Sequence, residues 1–159
     1  GNVLSSRGSV IPIFNSIKKD GKKVVPITNM DMTRFFISKK NAVEFVVNCL
    51  NIMRGGEIFV PKIPSLKISD LAETIIKGCK IKVIGIRPGE KIHEVLISRE
   101  ESIYTKEFKK LFIIYPIILD KKKFSLKKKL IRFEYSSNLN KDFLKKNQID
   151  FFLKKHNLI

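Results

Sequence analysis

Apolar residues recur along this chain with the period of a helix in some stretches and as short continuous runs in others. Over residues 40–53, Val43, Val46, Val47 and Leu50 return at i, i+3, i+4 and i+7, which gathers them on one helical face. Ser38 precedes that helix as an N-cap, and Arg54-Gly55-Gly56 ends it. Ser9 reads as the N-cap of an earlier helix over residues 10–19, with Pro12 in the first turn, where proline is tolerated, and Asp20-Gly21 as the stop. Ser69-Asp70 can cap a third helix over residues 71–77. Between these lie apolar runs that read as strands: 23–28, 57–60, 81–86, and 111–115 within 108–119. Gly1 opens a strand end running into the loop Ser5-Ser6-Arg7-Gly8-Ser9. Residues 90–98 place Ile92, Val95 and Leu96 on the face of a short helix, leaving Glu90 and Glu94 polar, and residues 140–157 read as one or two helices. There Phe143, Leu144, Phe151, Phe152 and Leu153 are available for packing. Strands alternating with helices define an α/β chain without internal repeats.

Composition narrows the chemistry. In 159 residues, 43% hydrophobic and 30% charged, the chain has the balance of a globular protein with one core, or of half of a larger one. It lacks an 18-residue apolar run and the pattern of a signal peptide, so a soluble, cytoplasmic protein is expected. The first residue is not methionine, which suggests a fragment, a processed chain or an incomplete reading. Cys49 and Cys79 are too few for a disulfide framework and share no metal-ligand spacing with His93 and His156. Cys49 is expected in a helical core, Cys79 as a small apolar filler, and His93 as a half-exposed helical histidine.

The net charge of +17 raises nucleic acid as a partner. Residues 1–100 carry 17 basic and 9 acidic side chains, and residues 101–159 carry 15 and 6, so the tail is denser in charge. Its run Lys121-Lys122-Lys123-Phe124-Ser125-Leu126-Lys127-Lys128-Lys129 offers lysines for phosphates and an aromatic for stacking. A solvated lysine loop is the preferred reading, because no nucleic-acid module accompanies the run.

Only six of the 32 basic residues are arginine: Arg7, Arg34, Arg54, Arg87, Arg99 and Arg132. In so lysine-rich a chain an arginine can mark geometry, because the planar guanidinium grips a phosphate or carboxylate at two points. Three arginine-bearing loops, at 2–9, 32–35 and 87–91, each sit at a strand end or helix start, where unpaired backbone N–H groups favour anions. In the last, Pro88-Gly89 forms a turn after the apolar run and projects Arg87 from a fixed point. Together the loops suit a diphosphate, with three unrelated solvated loops as the alternative.

Four segments in order carry a family resemblance: Gly1-Asn2-Val3-Leu4-Ser5-Ser6-Arg7-Gly8-Ser9-Val10-Ile11-Pro12, Met32-Thr33-Arg34-Phe35-Phe36, Gly56-Glu57-Ile58-Phe59-Val60-Pro61-Lys62-Ile63-Pro64-Ser65, and Gly85-Ile86-Arg87-Pro88-Gly89-Glu90-Lys91-Ile92-His93-Glu94. Weaker continuations follow at Phe112-Ile113-Ile114-Tyr115-Pro116 and Phe133-Glu134-Tyr135-Ser136-Ser137. The chain resembles the inverting UDP-N-acetylglucosamine 4,6-dehydratases of the extended short-chain dehydrogenase/reductase superfamily, with Ser5 where the family usually has glycine.

The resemblance implies the C-terminal substrate-binding part of a Rossmann-type fold, lacking the N-terminal cofactor-binding half. Residues 1–100 would be the nucleotide-sugar portion and 101–159 a basic extension packing on it. It implies NADP as cofactor, a UDP-sugar as substrate, the missing N-terminal half as partner and a homo-oligomer when complete. Asn2, Arg7, Arg34 and Arg87 would meet the diphosphate and ribose, Val10 and Ile11 would approach the uracil, and Glu90 would bind ribose or orient Arg87. In the family, C4 of the sugar is oxidised, H5 is removed, the C6 hydroxyl leaves and hydride returns to C6. The product serves pseudaminic acid or surface-polysaccharide synthesis. Two family features are absent here. The eight glycines, at 1, 8, 21, 55, 56, 78, 85 and 89, never take the G-x-G-x-x-G spacing. Four residues after Tyr104, Tyr115 and Tyr135 stand Phe108, Leu119 and Leu139, so no Tyr-x-x-x-Lys exists. The expectation is a substrate-binding fragment without catalytic residues. A nonenzymatic module for polyanions and a retaining capsule-type dehydratase stand as alternatives.

Overall fold

In the computed structural model, residues 1–116 and 132–159 are described. The lysine-rich run at 121–129 lies outside them. The elements follow in chain order: β1 (Asn2–Val3), α1 (Val10–Lys19), β2 (Val24–Ile27), β3 (Thr33–Ile37), α2 (Lys39–Ile52), β4 (Ile58–Pro61), β5 (Ser65–Lys67), α3 (Ile68–Ile75), β6 (Lys80–Val83), β7 (Val95–Ile97), α4 (Arg99–Ser102), β8 (Thr105–Glu107), β9 (Leu111–Ile114), β10 (Tyr135–Ser136) and α5 (Lys146–Lys155). They form two interleaved units, one of residues 1–39, 63–94 and 137–159 and the other of 40–62 and 95–136.

The first unit holds two small sheets. β1 pairs parallel with β3, which pairs antiparallel with β5, and β2 pairs parallel with β6. α1 turns Ile11 and Phe14 into the core, and α3 turns in Ile68, Leu71, Ala72 and Ile75 at helical spacing. Ile149 and Leu153 of α5 are fully buried in the same cluster, while Phe151 is 71% exposed. The end of α1 follows from its sequence. Gly21 takes φ 68°, so the N–H of Lys22 reaches the Ile17 carbonyl at 3.1 Å and its own reaches Lys18 at 3.1 Å. Both otherwise orphaned carbonyls are thereby satisfied.

In the second unit β4, β9 and β8 form an antiparallel sheet, and β7 pairs with β10. Phe112 sits 5.0 Å from Tyr135 and 5.6 Å from Phe133 between ring centroids, and Lys62 Nζ lies 4.7 Å over its ring. Lys62 also donates to Glu107 at 2.6 Å.

Several local expectations change. Residues 90–98 are not helical; Val95–Ile97 is β7, and Ser98 opens α4 in a reciprocal cap with Glu101. Three apolar positions were too few to hold a helix against cross-strand pairing with Tyr135 and Ser136. His93 is correspondingly not helical. β6 is short and mostly exposed, with Ile84 and Ile86 beyond it 49% and 45% exposed, so the run before the arginine turn is not buried. α3 begins at Ile68, ahead of the expected cap, because the hydroxyl of Ser69 donates instead to the Met30 carbonyl at 3.3 Å. Cys49 is not in a core, for no residue of α2 is buried, whereas Cys79 does pack partly against the core of the first unit.

His156, after α5, lies edge-on to Phe152 with 4.9 Å between ring centroids. Burial, with a smaller contribution from Lys155, pushes its pKa below 6.5. The unfolded chain therefore takes up the proton first. The contribution of this group is complete above the unfolded value and is lost as pH falls through the lower folded one. Urea midpoints at about pH 7.5 and about pH 5 are expected to show that loss, and His156→Gln is expected to reduce it.

Candidate functional site

All seven residues singled out from the sequence fall in the first unit. The turn at Arg87-Pro88-Gly89-Glu90 forms as expected: Glu90 N–H donates to the Arg87 carbonyl at 3.0 Å and Gly89 adopts φ 78°. The carboxylate of Glu90 accepts the Arg87 N–H at 3.2 Å, locking the turn from its other side. The guanidinium of Arg87 is exposed and has no hydrogen bond or ion pair among the described residues.

Arg34 braces this turn. Its Nη1 donates to the carbonyls of Thr33 at 2.8 Å and Ile92 at 3.0 Å, its Nη2 donates to Lys91 at 2.7 Å, and Nη2 lies 3.9 Å from Glu90 Oε1. The side chains of Arg34 and Glu90 are 14% and 24% exposed. Three of the four Nη hydrogens are thus committed to the protein, and the remaining capacity is chiefly Nε.

Asn2 is joined to the same region from below. Its Nδ2 donates to the Phe35 carbonyl at 3.0 Å and to the Glu94 carboxylate at 3.0 and 3.2 Å. Both amide hydrogens are used, so toward a ligand Asn2 presents its Oδ1. Glu94 also accepts the Phe35 N–H at 2.8 Å. It was read from the sequence only as a polar helix position, yet it ties β1, β3 and the loop after the turn together. Behind it a polar chain runs from His93 Nδ1 to Thr33 Oγ1 (2.8 Å), on to Ser137 Oγ (2.6 Å) and to the Glu94 N–H (2.9 Å). Thr33 and Ser137 are 4% and 0% exposed. The partners lie far apart in sequence, and the only local sign was the presence of His93-Glu94 in the last motif.

The loop before α1 is separate in its bonding. Arg7 is exposed and has no hydrogen-bond or ion-pair partner among the described residues. Val10 is partly buried and Ile11 is 2% exposed inside the core, so Ile11 offers a ligand its backbone only. Ser9 makes no side-chain cap, and its buried Oγ has no partner among the described residues. An unpaired hydroxyl at the head of a ten-residue helix, with Arg7 two positions earlier, suits an anion.

Ser5 holds φ 58°, in the left-handed region that suits glycine. The exchange Ser5→Gly is therefore expected to stabilise the protein by about 0.5 to 1 kcal/mol, read as a raised urea midpoint.

Parallel strand pairs and helices, with an arginine-bearing turn over a polar brace, mark an α/β protein. The family model for polysaccharide biosynthesis proteins matches residues 1–116, and the chain belongs to that family. It is 50% identical over 118 residues to the inverting UDP-N-acetylglucosamine 4,6-dehydratase of Campylobacter jejuni, covering 74% of this chain and 35% of that protein. It is 40% identical over 158 residues to an uncharacterised membrane protein of Methanocaldococcus jannaschii, covering 92% of this chain and 46% of the other. The X-ray structure of Pen from Bacillus thuringiensis matches all of this chain with a TM-score of 0.83 and 30% identity, and this chain covers 49% of it. The chain thus spans between a third and a half of the length of these relatives. Among the described residues no helix is long and apolar enough to cross a membrane.

Proposed function

We propose that this stretch is the nucleotide-sugar grip of a C5-inverting UDP-N-acetylglucosamine 4,6-dehydratase serving surface-polysaccharide or pseudaminic acid biosynthesis. The observation that carries the reading is the braced turn: Arg34 and Glu90 fix the loop that leaves the Arg87 guanidinium unpaired. A turn held that way loses little backbone freedom when its arginine meets a phosphate. Arg87 and Arg7 take the diphosphate, with Ser9 Oγ and the first N–H groups of α1 beside them. Glu90 orients the turn and meets ribose, and Asn2 accepts from a ligand hydroxyl or amide through Oδ1. Val10 and the backbone of Ile11 approach the uracil. Residues 1–100 carry this grip and residues 101–159 the basic extension, in the C-terminal part of an extended Rossmann-type fold that is cytoplasmic and homo-oligomeric when complete.

NADP, which the family implies, supplies oxidation at C4 of the sugar and return of hydride at C6. The residues here do not fit it. The connection from β1 to α1 carries one glycine, Gly8, where the dinucleotide fingerprint needs three at G-x-G-x-x-G spacing. No catalytic step is therefore assigned to these residues. The purified chain is expected to bind UDP and to leave UDP-N-acetylglucosamine unchanged, and NADP-dependent dehydration by it would refute the assignment.

Calorimetric titration with UDP tests the grip. Arg87→Ala is expected to weaken binding about 10- to 100-fold and Arg87→Lys to restore only part of it, as loss of a charge-assisted contact implies. Undetectable UDP binding, or an Arg87→Ala variant that binds as well as the parent, would defeat the proposal. The charge of +17 favours a second reading, a nonenzymatic polyanion module. Random-sequence oligonucleotide binding that salt abolishes and UDP does not compete would support that module instead. If the complete enzyme retains configuration at C5, the capsule-type alternative replaces the inverting one.

A further inference from the structure

Ser137 stands beyond residues 1–116, the stretch that the family model matches, yet it is 0% exposed among the residues that hold the arginine turn. Its N–H donates to the Glu94 carbonyl at 2.8 Å, and its Oγ accepts the Glu94 N–H at 2.9 Å. The same Oγ donates to the Thr33 carbonyl at 3.2 Å, which also takes Arg34 Nη1 at 2.8 Å. Further on, Asn140 Nδ2 donates to the Ile63 carbonyl at 2.9 Å and the Leu144 N–H to the Ser65 carbonyl at 2.8 Å, so the segment carrying Ser137 is anchored at both ends. One assignment of hydrogens serves all four contacts of the polar chain. A serine hydroxyl has one hydrogen and two lone pairs. With that hydrogen on the Thr33 carbonyl, the 2.6 Å contact between Ser137 Oγ and Thr33 Oγ1 must take the threonine hydrogen. Thr33 Oγ1 then has only a lone pair for His93 Nδ1 at 2.8 Å, and Nδ1 must carry the proton. The reverse direction leaves the Thr33 carbonyl contact without a hydrogen.

We infer that Ser137 is a positioning residue of the nucleotide grip: through Thr33 it holds His93 in the Nδ1–H tautomer and so leaves Nε2 as an acceptor for a hydroxyl or N–H of the bound nucleotide. His93 is half-buried, and its Nε2 has no hydrogen-bond partner among the described residues. It directly follows Lys91 and Ile92, whose carbonyls take the Arg34 fork, and Glu90 of the arginine turn is three residues back. An imidazole in water favours the Nε2–H form, in which this nitrogen would be a donor. The hydrogen bond made by the other nitrogen decides between the two forms. The grip thereby gains a neutral acceptor beside its cations, one suited to the nucleoside part of the ligand, while the arginines meet its charge. The inference rests on the UDP reading above for the ligand alone, since the tautomer is set without it.

Long-range proton–nitrogen NMR spectra of the chain with isotope-labelled histidine, at about pH 8.5 where model imidazoles are neutral, read the tautomer directly. The chain has two histidines, and His156→Gln leaves the signals of His93 alone. The expected spectrum shows the protonated, pyrrole-type nitrogen at Nδ1. Ser137→Ala removes the acceptor of the threonine hydrogen, which then turns to Nδ1, so His93 is expected to change to the Nε2–H form. Thr33→Ser keeps the hydroxyl and is expected to keep the parent tautomer. A His93 that is Nε2–H in the parent, or that stays Nδ1–H in folded Ser137→Ala, would overturn the inference, and the parent spectrum decides alone if that variant does not fold. Addition of UDP is expected to move the Nε2 signal upfield with Nδ1 still protonated, and His93→Ala is expected to weaken UDP binding about fivefold, as loss of one neutral hydrogen bond implies. UDP bound with Nε2 unmoved would overturn the acceptor role and leave the grip standing. Absence of UDP binding would defeat the grip and the acceptor role together, while the tautomer of the free chain still stands or falls on its own spectrum.

Discussion

Replacing Glu94 by alanine is expected to destabilise the protein by about 3 kcal/mol or more, seen as a large fall in urea midpoint with the slope retained. The carboxylate accepts the N–H of Phe35, a residue with 0% exposure, and both of its oxygens accept from Asn2 Nδ2. Alanine leaves those donors in a place that water cannot easily reach, and an unsatisfied buried donor loses its full solvation. Glu94→Gln keeps an acceptor oxygen and is expected to recover half or more of the loss. An alanine variant within about 0.5 kcal/mol of the parent would show that Glu94 is no tie between β1 and β3.

The second large effect belongs to Arg34. Arg34→Ala is expected to weaken UDP binding about 100-fold, because it frees the Thr33, Lys91 and Ile92 carbonyls and releases the turn that aims Arg87. Lysine cannot reproduce three carbonyl contacts from a planar fork, so Arg34→Lys is expected to fall close to alanine. Arg34 then works mainly through Arg87, and a double-mutant cycle makes this visible. In an Arg87→Ala background, Arg34→Ala is expected to cost only a few-fold more. Full additivity would mean that Arg34 meets the ligand by itself.

Much of the fold could be read from local sequence because its causes are local. Pro12 in the first turn and Asp20-Gly21 at the end bracket α1, and Pro88-Gly89 dictates the arginine turn. The apolar run at 111–115 becomes β9 with one residue to spare. What could not be read depends on partners distant in the chain. The spacing of Val43, Val46, Val47 and Leu50 foretells a helix but not what faces it, and a core was assumed where the side chains are exposed. Glu94 lies 59 residues from Phe35 and 92 from Asn2, so its neighbours give no hint of its role. Arg34 was read as a ligand contact because its type and place suited an anion. That three of its hydrogens serve the carbonyls of neighbouring Thr33 and of Lys91 and Ile92, 57 and 58 residues away, follows only from the folded path. Residues 90–98 failed for a related reason: the partner of β7 stands at Tyr135 and Ser136, beyond any local window.

The interleaving of the two units bears on the order of events during synthesis. The first unit is built from three separated stretches, the last being residues 137–159, and Ile149 and Leu153 of α5 are fully buried against residues made much earlier. A ribosome delivering the chain from its N-terminus therefore holds α1 and α3 with part of their apolar surface uncovered until α5, residues 146–155, has emerged. Stalled or prematurely terminated products would be the aggregation-prone species, and nascent chains of increasing length should gain protease resistance in one late step.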